Sequence, residues 1–198
     1  MFVRSAAIAA CTILLSVTCT ASLTAQSGSM QSGSMQGMGQ TDGKKPMLSP
    51  PATANVTLAG QTVTLNYHAP SLRGRMLGGP EIVPWGQVWR TGANDATSLM
   101  TPVPLHIGKL LLPAGSYTLY TLPDKDEDKW MLIVNKQTGQ WGTEYHQDQD
   151  LGRVKMDGKK TSNAQEVMSI SFDDVHKDSA KMHIRWGKYD EVVKVTTP

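Results

Sequence analysis

Aromatic, basic and amide side chains are concentrated in residues 84–97, whose sequence is PWGQVWRTGANDAT. This segment holds Trp85, Trp89, Arg90 and Asn94 between turn-forming residues. Tryptophan and arginine are enriched at binding hot spots because they present large contact areas, and the same property suits them to anchor the corner of a fold. The segment is therefore either a recognition surface or a structural corner.

Further residues of the same kinds extend the candidate surface. Arg73 and Arg75 precede the segment in a Gly- and Pro-rich connection, and Trp141 follows it. Guanidinium groups bind carboxylates and phosphates through paired hydrogen bonds, and indole faces stack on the apolar faces of sugars. We therefore predict a small-molecule, anionic or glycan ligand for these residues: Arg73, Arg75, Trp85, Trp89, Arg90, Asn94 and Trp141.

The alternative interpretation of the same residues is structural. Trp85 and Trp89 then cap an open end of the fold, Asn94 shapes a turn, and Arg90 pairs with a buried acid. Replacing Arg90 with alanine would leave that acid without its partner and cost about 3 to 5 kcal/mol of folding free energy. Destabilisation is the outcome that the sequence favours for this residue.

One group of residues has the spacing of a metal or acid–base site. His146, Asp148 and Asp150 alternate, so in an extended segment their side chains point to one face and can ligate a divalent metal or serve a hydrolase. A solvated loop is the favoured interpretation, and we expect no cofactor. The chain contains no Gly-x-Ser-x-Gly elbow, His-Glu-x-x-His helix or phosphate-binding glycine loop. Catalytic residues are therefore not identified, and an enzyme is the less favoured class.

In the segments that position these residues, apolar residues alternate with polar ones, and this period of two predicts strands. Residues 56–58 and 63–67 form a predicted hairpin with Val63, Leu65 and Tyr67 on one face. Further strands are predicted at 97–101, 103–107, 116–122, 130–135, 152–156, 167–172, 181–186 and 191–196, with turns between them, including one at 157–159. The pattern predicts a single-domain, all-β fold, either an antiparallel β-sandwich or a jelly-roll-like barrel. The connection over residues 70–92 is too long for a hairpin turn, and long loops are usually functional.

The N-terminal residues predict export. Residues 1–25 carry one basic residue, Arg4, and then a short apolar run and small residues, as in a secretory signal peptide cleaved after Ala25 or Ala21. Residues 26–45 repeat Gly, Ser, Met and Gln without a packing period, which predicts a disordered linker, and the folded domain is predicted over 46–198. Secretion or a periplasmic location follows.

The composition of the mature chain indicates which classes of partner and anchor are expected. Both cysteines, Cys11 and Cys19, lie within the predicted signal peptide, and neither has a good lipid-attachment context, so lipoprotein anchoring is less favoured. Removing Arg4 leaves 18 Lys and Arg against 17 Asp and Glu, a net charge of +1, which gives no electrostatic reason to expect nucleic acid as a partner. We expect a monomer without a transmembrane span.

The linker contains three methionines, Met30, Met35 and Met38, whose thioethers suit Cu(I). A low-complexity spacer is nevertheless favoured over a copper site.

Several motifs together resemble a known family. They are Leu72-Arg73-Gly74-Arg75, Gly78-Gly79, residues 84–97, residues 112–117, and Asn135 followed by Trp141-Gly142. With these motifs the chain resembles domain of unknown function 2911, a family of secreted bacterial β-rich proteins, over essentially all of residues 46–196. The resemblance implies an exported β-rich domain and brings no activity, substrate or catalytic residue. The sequence thus favours an exported, non-catalytic binding or envelope-associated module over a hydrolase or metal-dependent enzyme.

Overall fold

The structure, a computed structural model, describes residues 48–79, 81–126 and 129–198. The predicted signal peptide and linker therefore lie outside the described residues. The described residues all belong to one compact unit and contain no α-helix. Within them, no helix has the length and apolarity needed to cross a membrane.

Within the described residues, ten strands form two antiparallel sheets. The strands are β1 (Pro51–Leu58), β2 (Gln61–His68), β3 (Thr97–Thr101), β4 (Leu105–Ile107), β5 (Leu110–Leu112), β6 (Gly115–Leu122), β7 (Met131–Asn135), β8 (Asp150–Lys155), β9 (Asp157–Asp173) and β10 (Ser179–Thr196). The first sheet has the order β1-β2-β3-β6-β7-β8 and the second has the order β5-β4-β10-β9. The predicted all-β sandwich is confirmed, and the sheets do not close into the alternative barrel.

The first hairpin shows how the sequence pattern is converted into the core. Val63, Leu65 and Tyr67 of β2 are buried while the residues between them are more exposed, as the period of two predicts. Ala59 and Gly60 connect β1 to β2 with φ angles of 48° and 76°. Two consecutive positive φ angles are typical of a type I′ turn, which matches the twist of the flanking strands.

The long second hairpin departs from the sequence prediction. Residues 157–159 were predicted as a turn, but they begin β9, which runs to Asp173. Two separate strands at 181–186 and 191–196 are instead one strand, β10, whose pairing with β9 shifts register around Gly187. Residues 157–159 are mostly exposed on β9, so solvation explains their polarity, whereas Asp190 of β10 is buried and contacts His183 and Arg185. Leu110–Leu112 forms β5, which was not predicted.

The connection between β2 and β3 joins the two sheets. Ser71 bridges Val167 of β9 in the second sheet, and Trp89 bridges Thr121 of β6 in the first sheet. Trp89 and Thr121 exchange two backbone hydrogen bonds, each 2.8 Å long. The connection is therefore fixed at both ends rather than free in solvent, and it presents its intervening side chains from a rigid base.

Candidate functional site

Trp89 is the buried member of the candidate set. Only 8% of its surface is exposed, its ring stacks on Trp186 of β10 with a centroid separation of 5.6 Å, and its Nε1 donates to the Gly92 carbonyl at 3.0 Å. Its backbone pairs with one sheet while its ring packs on the other. These contacts make Trp89 a structural anchor and leave little of its surface for a ligand.

Trp85 lies in a second aromatic cluster. Its ring meets the edges of Trp130 and Tyr189 at centroid separations of 6.2 Å and 5.6 Å. Trp130 is almost completely buried, whereas Trp85 is half-buried and lines a surface depression of about 470 Å³ together with Arg75. Trp85 therefore covers the end of the core and shows its outer face to solvent.

Arg73 and Arg75 bind the backbone of their own region. Arg73 donates from Nη2 to the Leu48 carbonyl at 3.0 Å, and its backbone N–H donates to Glu166 at 2.7 Å. Arg75 donates to the carbonyls of Leu72 and Ser71 at 2.9 and 3.0 Å. Both side chains remain exposed, so they stabilise the connection and still contribute positive charge at the surface.

Arg90 differs from these two arginines because its side chain makes no hydrogen bond or ion pair with any described residue. Its Nε atom is buried without a hydrogen-bond partner. Burial lowers the pKa of the Arg90 guanidinium from its ordinary value, yet a guanidinium stays charged at neutral pH. The predicted ion pair with a buried acid is therefore wrong for the described part of the chain. Only Nε is buried in this way, because neither Nη nitrogen is among the described buried atoms that lack a partner. The guanidinium is therefore partly desolvated, and an unpaired, partly desolvated cation gains from a partner that brings opposite charge.

The neighbours of Arg90 come from the other side of the site. The backbone of Gly142 donates to the Asn94 carbonyl at 3.1 Å, and Asp95 forms a β-bridge with Trp141. The aliphatic part of Arg90 packs directly on the Cα of Gly142. The structure thus brings Arg90, Asn94 and Trp141 together, while Arg73, Arg75 and Trp85 form a separate group with their own contacts.

The segment beside Arg90 combines an exposed indole at Trp141 with a buried amide at Gln140. Trp141 is 49% exposed, and an exposed indole offers a large contact area to a ligand. Next to it in the chain, Gln140 is buried and donates to Tyr120 Oη at 3.0 Å, while its own Oε1 has no hydrogen-bond partner among the described residues. Arg90 Nε and Gln140 Oε1 are thus two buried polar atoms without a hydrogen-bond partner among the described residues, and neither is itself exposed to a ligand. Sequence reasoning missed Gln140 because a single glutamine carries no chemical signature.

Backbone strain is concentrated in the same segment. Thr91 has a φ of 55° and Asn94 a φ of 58°. A positive φ is an outlier for a β-branched residue, and such residues persist only where the surroundings hold them. Thr91 is fully buried and its carbonyl accepts a 2.9 Å hydrogen bond from Thr97 Oγ1, which fixes the backbone immediately after Arg90. The direction of the Arg90 side chain is therefore set by a rigid turn.

His146, Asp148 and Asp150 do not form the predicted one-faced arrangement. Residues Gln147–Gln149 form a short 3-10 turn, so the extended backbone that would align the three side chains is absent. Asp150 accepts hydrogen bonds from Asn135 at 2.9 Å and from Tyr145 at 2.7 Å, and it pairs with Arg153 at 3.1 Å. In the described ranges no group of three metal-ligating side chains is present. The role of Asp150 is to hold the 145–153 segment together.

The second sheet carries a charged cluster that the sequence did not reveal. Asp190, which is 3% exposed, lies 2.7 Å from His183 Nδ1 and 3.2 Å from Arg185 Nε. Arg185 also pairs with Asp173 at 2.6 Å and donates to Ser171 Oγ at 2.7 Å. Burial acts to raise the pKa of Asp190, but the hydrogen bond with His183 and the neighbouring positive charges outweigh it and hold the pKa below its ordinary value. The cluster is paired internally and stabilises the β9–β10 hairpin.

The chain matches a family model over most of its length. The model of the family described as protein of unknown function (DUF2911) matches residues 49–195. The chain belongs to the DUF2911 family. No curated protein and no solved structure matches it. The DUF2911 match spans both sheets, the β2–β3 connection and Gly142, so the Arg90 surface lies within the family's domain.

Proposed function

We propose that this DUF2911 protein is an exported, non-catalytic binding module that recognises an anionic saccharide at the surface formed by Arg90, Asn94 and Trp141. The observation that carries the proposal is the Arg90 guanidinium, which is partly desolvated and has no carboxylate partner among the described residues. A ligand carboxylate would supply the negative partner that the Arg90 guanidinium lacks. Because the backbone beside Arg90 is rigid, the ligand would bind with little reorganisation of the protein.

The exposed tryptophan supports the saccharide part of the proposal. Trp141 is held by the Asp95 bridge, and its ring keeps about half of its surface in solvent. A fixed indole gives a large contact area at low entropic cost, and its flat face suits the apolar face of a sugar ring. Asn94 is half-buried beside it and offers both a donor and an acceptor for hydroxyl groups.

Export is proposed from residues 1–25, whose composition is that of a secretory signal. A non-catalytic role is proposed because the surface around Arg90 offers a cation, an amide and an indole but no pair of groups suited to acid–base or nucleophilic chemistry. An envelope or extracellular setting would expose the protein to acidic glycans. Fractionation of the producing cells tests this part, and recovery of the uncleaved chain from the cytoplasm would contradict it.

The binding proposal is tested with two sugars of the same ring stereochemistry, one with a C6 carboxylate and the other with a neutral hydroxymethyl group at C6. Galacturonic acid and galactose are titrated into the full mature chain by isothermal titration calorimetry, and we expect binding of the acid alone. Arg90→Met keeps the aliphatic packing and removes the charge, so it should weaken binding by at least about tenfold, as loss of a charge-assisted hydrogen-bond pair implies. Trp141→Ala should weaken binding as well.

The control is Lys177→Met, which removes an exposed cation in the β9–β10 turn and should leave binding unchanged. Equal binding of galactose and galacturonic acid, or full binding by Arg90→Met, would show that Arg90 does not read the ligand's charge. Melting temperatures of all variants separate a loss of binding from a loss of fold.

A further inference from the structure

A second depression lies between the Leu72–Leu77 part of the β2–β3 connection and β10. Its volume is about 360 Å³, within the roughly 300–1,000 Å³ range of small-molecule sites. None of the Arg90, Asn94 and Trp141 side chains lines it. It is therefore independent of the proposed saccharide surface.

A β-bulge shapes this depression. The register between β9 and β10 shifts on both sides of Gly187, whose φ is 57°. Leu77 packs over Gly187, since a Cβ placed at Gly187 would lie 3.6 Å from the Leu77 side chain. Tyr189 follows two residues later. Bulges redirect the side chains that follow them and are frequent beside functional sites. The depression is thus a product of the strand geometry and not of a loosely packed loop.

The lining of the depression is mostly apolar. Leu72 and Tyr189 contribute carbon surface at its base, and Ala164 leaves space at its side. Met76 is 82% exposed, the most exposed of the large apolar side chains that the structure describes. An unbranched thioether exposed beside an apolar depression is typical of a surface that adapts to apolar ligands.

Positive charge surrounds the apolar lining. Arg75 and Lys188 are both exposed and both line the depression, and none of its described lining residues is acidic. Lys160 also lines it, and its Nζ lies 5.9 Å from the centre of the Tyr189 ring. The Lys160 charge also faces Asp126, because, after Lys129, it helps to lower the pKa of that carboxyl. The rim charge is therefore assigned to Arg75 and Lys188. An apolar interior with a cationic rim complements a ligand that has a hydrocarbon chain and an anionic head.

We propose that this depression binds a single alkyl chain ending in a carboxylate, that is, a fatty-acid anion. The chain lies along Leu72, Leu77 and Tyr189, and the carboxylate is placed between Arg75 and Lys188. Residues N-terminal to Leu48 are the rival occupant, because the described chain begins beside Arg73. Lys44 and Lys45 carry the same sign of charge as the rim, which favours the fatty acid over this segment.

The test uses calorimetric titration of the full mature chain with octanoate, decanoate, decanol and decyltrimethylammonium. We expect decanoate to bind more tightly than octanoate, by about fourfold for each added CH2 that is buried. Decanol should bind at least about tenfold more weakly than decanoate, and the ammonium compound should not bind. Tryptophan fluorescence gives a second readout, because Trp85 contacts Tyr189.

Two variants assign the binding to the depression. Ala164→Trp fills it from an exposed strand position and should abolish decanoate binding, while Lys188→Glu should weaken it by about tenfold or more without changing the melting temperature. Lys177→Glu is the matched charge control, and Arg90→Met should leave decanoate binding unchanged. Binding that survives Ala164→Trp, or decanol binding as tight as decanoate binding, would overturn the proposal. So would a shift in the methyl NMR signals of Met30, Met35 and Met38 when Ala164→Trp is made without ligand, because it would place the chain's own N-terminal segment in the depression.

Discussion

Gly142 packs against the side chain of Arg90 so closely that a Cβ at position 142 would force one of its neighbours to move. A Cβ there would overlap the Arg90 Cδ and lie 2.6 Å from the Asn94 carbonyl oxygen. The Asn94 carbonyl cannot move away cheaply, because it accepts the hydrogen bond from the Gly142 N–H. The stem of Arg90 is therefore confined between its own strained turn and the 140–142 segment.

Replacing Gly142 with alanine should lower the free energy of unfolding by about 1 to 3 kcal/mol, the usual cost of overpacking. Because the alanine displaces Arg90, the variant should also bind galacturonic acid more weakly. Urea denaturation and calorimetry measure the two effects. Gly79→Ala is the control, since the nearest atom to a Cβ there is 3.6 Å away, and its stability should be unchanged. Equal stability of Gly142→Ala and the parent would show that the contact relaxes without cost.

Arg90→Met should change the free energy of unfolding by less than about 1 kcal/mol, because it removes a partly buried charge without leaving an acid unpaired. This differs from the 3 to 5 kcal/mol that the sequence favoured on the assumption of a buried ion pair. Arg90→Ala should cost more than Arg90→Met, since it also removes the stem that fills the space over Gly142. Chemical denaturation of both variants decides the matter. A large loss in Arg90→Met would indicate an acid partner outside the described residues.

Part of the fold was predictable because strands such as β2 and β3 bury one face and expose the other. The prediction of 97–101 coincides with β3, and Val63, Leu65 and Tyr67 share the buried face that alternation assigned to them. The first half of β9 was missed because it pairs at a sheet edge, where polar residues such as those at 157–163 are tolerated and look like a turn. Residues 187–190 suggested a break, whereas a bulge at Gly187 keeps the strand continuous.

The candidate site was predictable in its residue types and not in its partners. The tryptophan–arginine segment was found from composition, but neither the stacking of Trp89 on Trp186 nor the contact of Arg90 with Gly142 leaves a trace in local sequence. Both contacts join residues far apart in the chain. The lack of an ion pair between Arg90 and any acid of the described residues is likewise a long-range property, so the sequence could not choose between anchor and ligand contact.

Truncation of Trp89 should lower mainly the stability of the protein, whereas truncation of Trp141 should lower mainly its binding of galacturonic acid. Trp89→Ala removes a buried ring that joins the two sheets and should cost about 3 to 5 kcal/mol, a large share of the roughly 5 to 15 kcal/mol by which a domain is usually stable. Trp141→Ala removes a half-exposed ring and should cost less than about 1 kcal/mol while reducing galacturonic acid binding. Thermal melts followed by circular dichroism compare them. A large destabilisation in Trp141→Ala would identify that tryptophan as structural too.

Alanine substitution of His146, Asp148 and Asp150, the three residues of the metal hypothesis, should change the free energy of unfolding by different amounts. Asp150→Ala breaks hydrogen bonds with Asn135 and Tyr145 and an ion pair with Arg153, so it should cost about 2 to 4 kcal/mol. His146→Ala and Asp148→Ala change exposed side chains and should stay within about 0.5 kcal/mol of the parent. Urea denaturation measures each variant. A stabilisation by Zn²⁺ that His146→Ala abolishes would restore the metal hypothesis.

The Asp190 cluster should give the protein an acid-sensitive component of stability. Because the folded state holds the pKa of Asp190 below its ordinary value of 3.8, ionised Asp190 stabilises the fold above that pH. The contribution is lost as the pH falls through the lower, folded-state pKa. Asp190→Asn should therefore be less stable than the parent at pH 7, by about 3 kcal/mol, because Arg185 and His183 lose a buried partner.

The difference between the two proteins should shrink as the medium is acidified, since protonation removes from the parent what the substitution has already removed. Melting temperatures between about pH 7 and pH 2 test this, and the two curves should converge at the acid end. Asp174→Asn is the matched control, because its ion pair with Lys181 is exposed and should contribute little at any pH. Parallel curves for Asp190→Asn and the parent would mean that Asp190 is not ionised in the folded protein, and the cluster would then act through hydrogen bonds rather than charge.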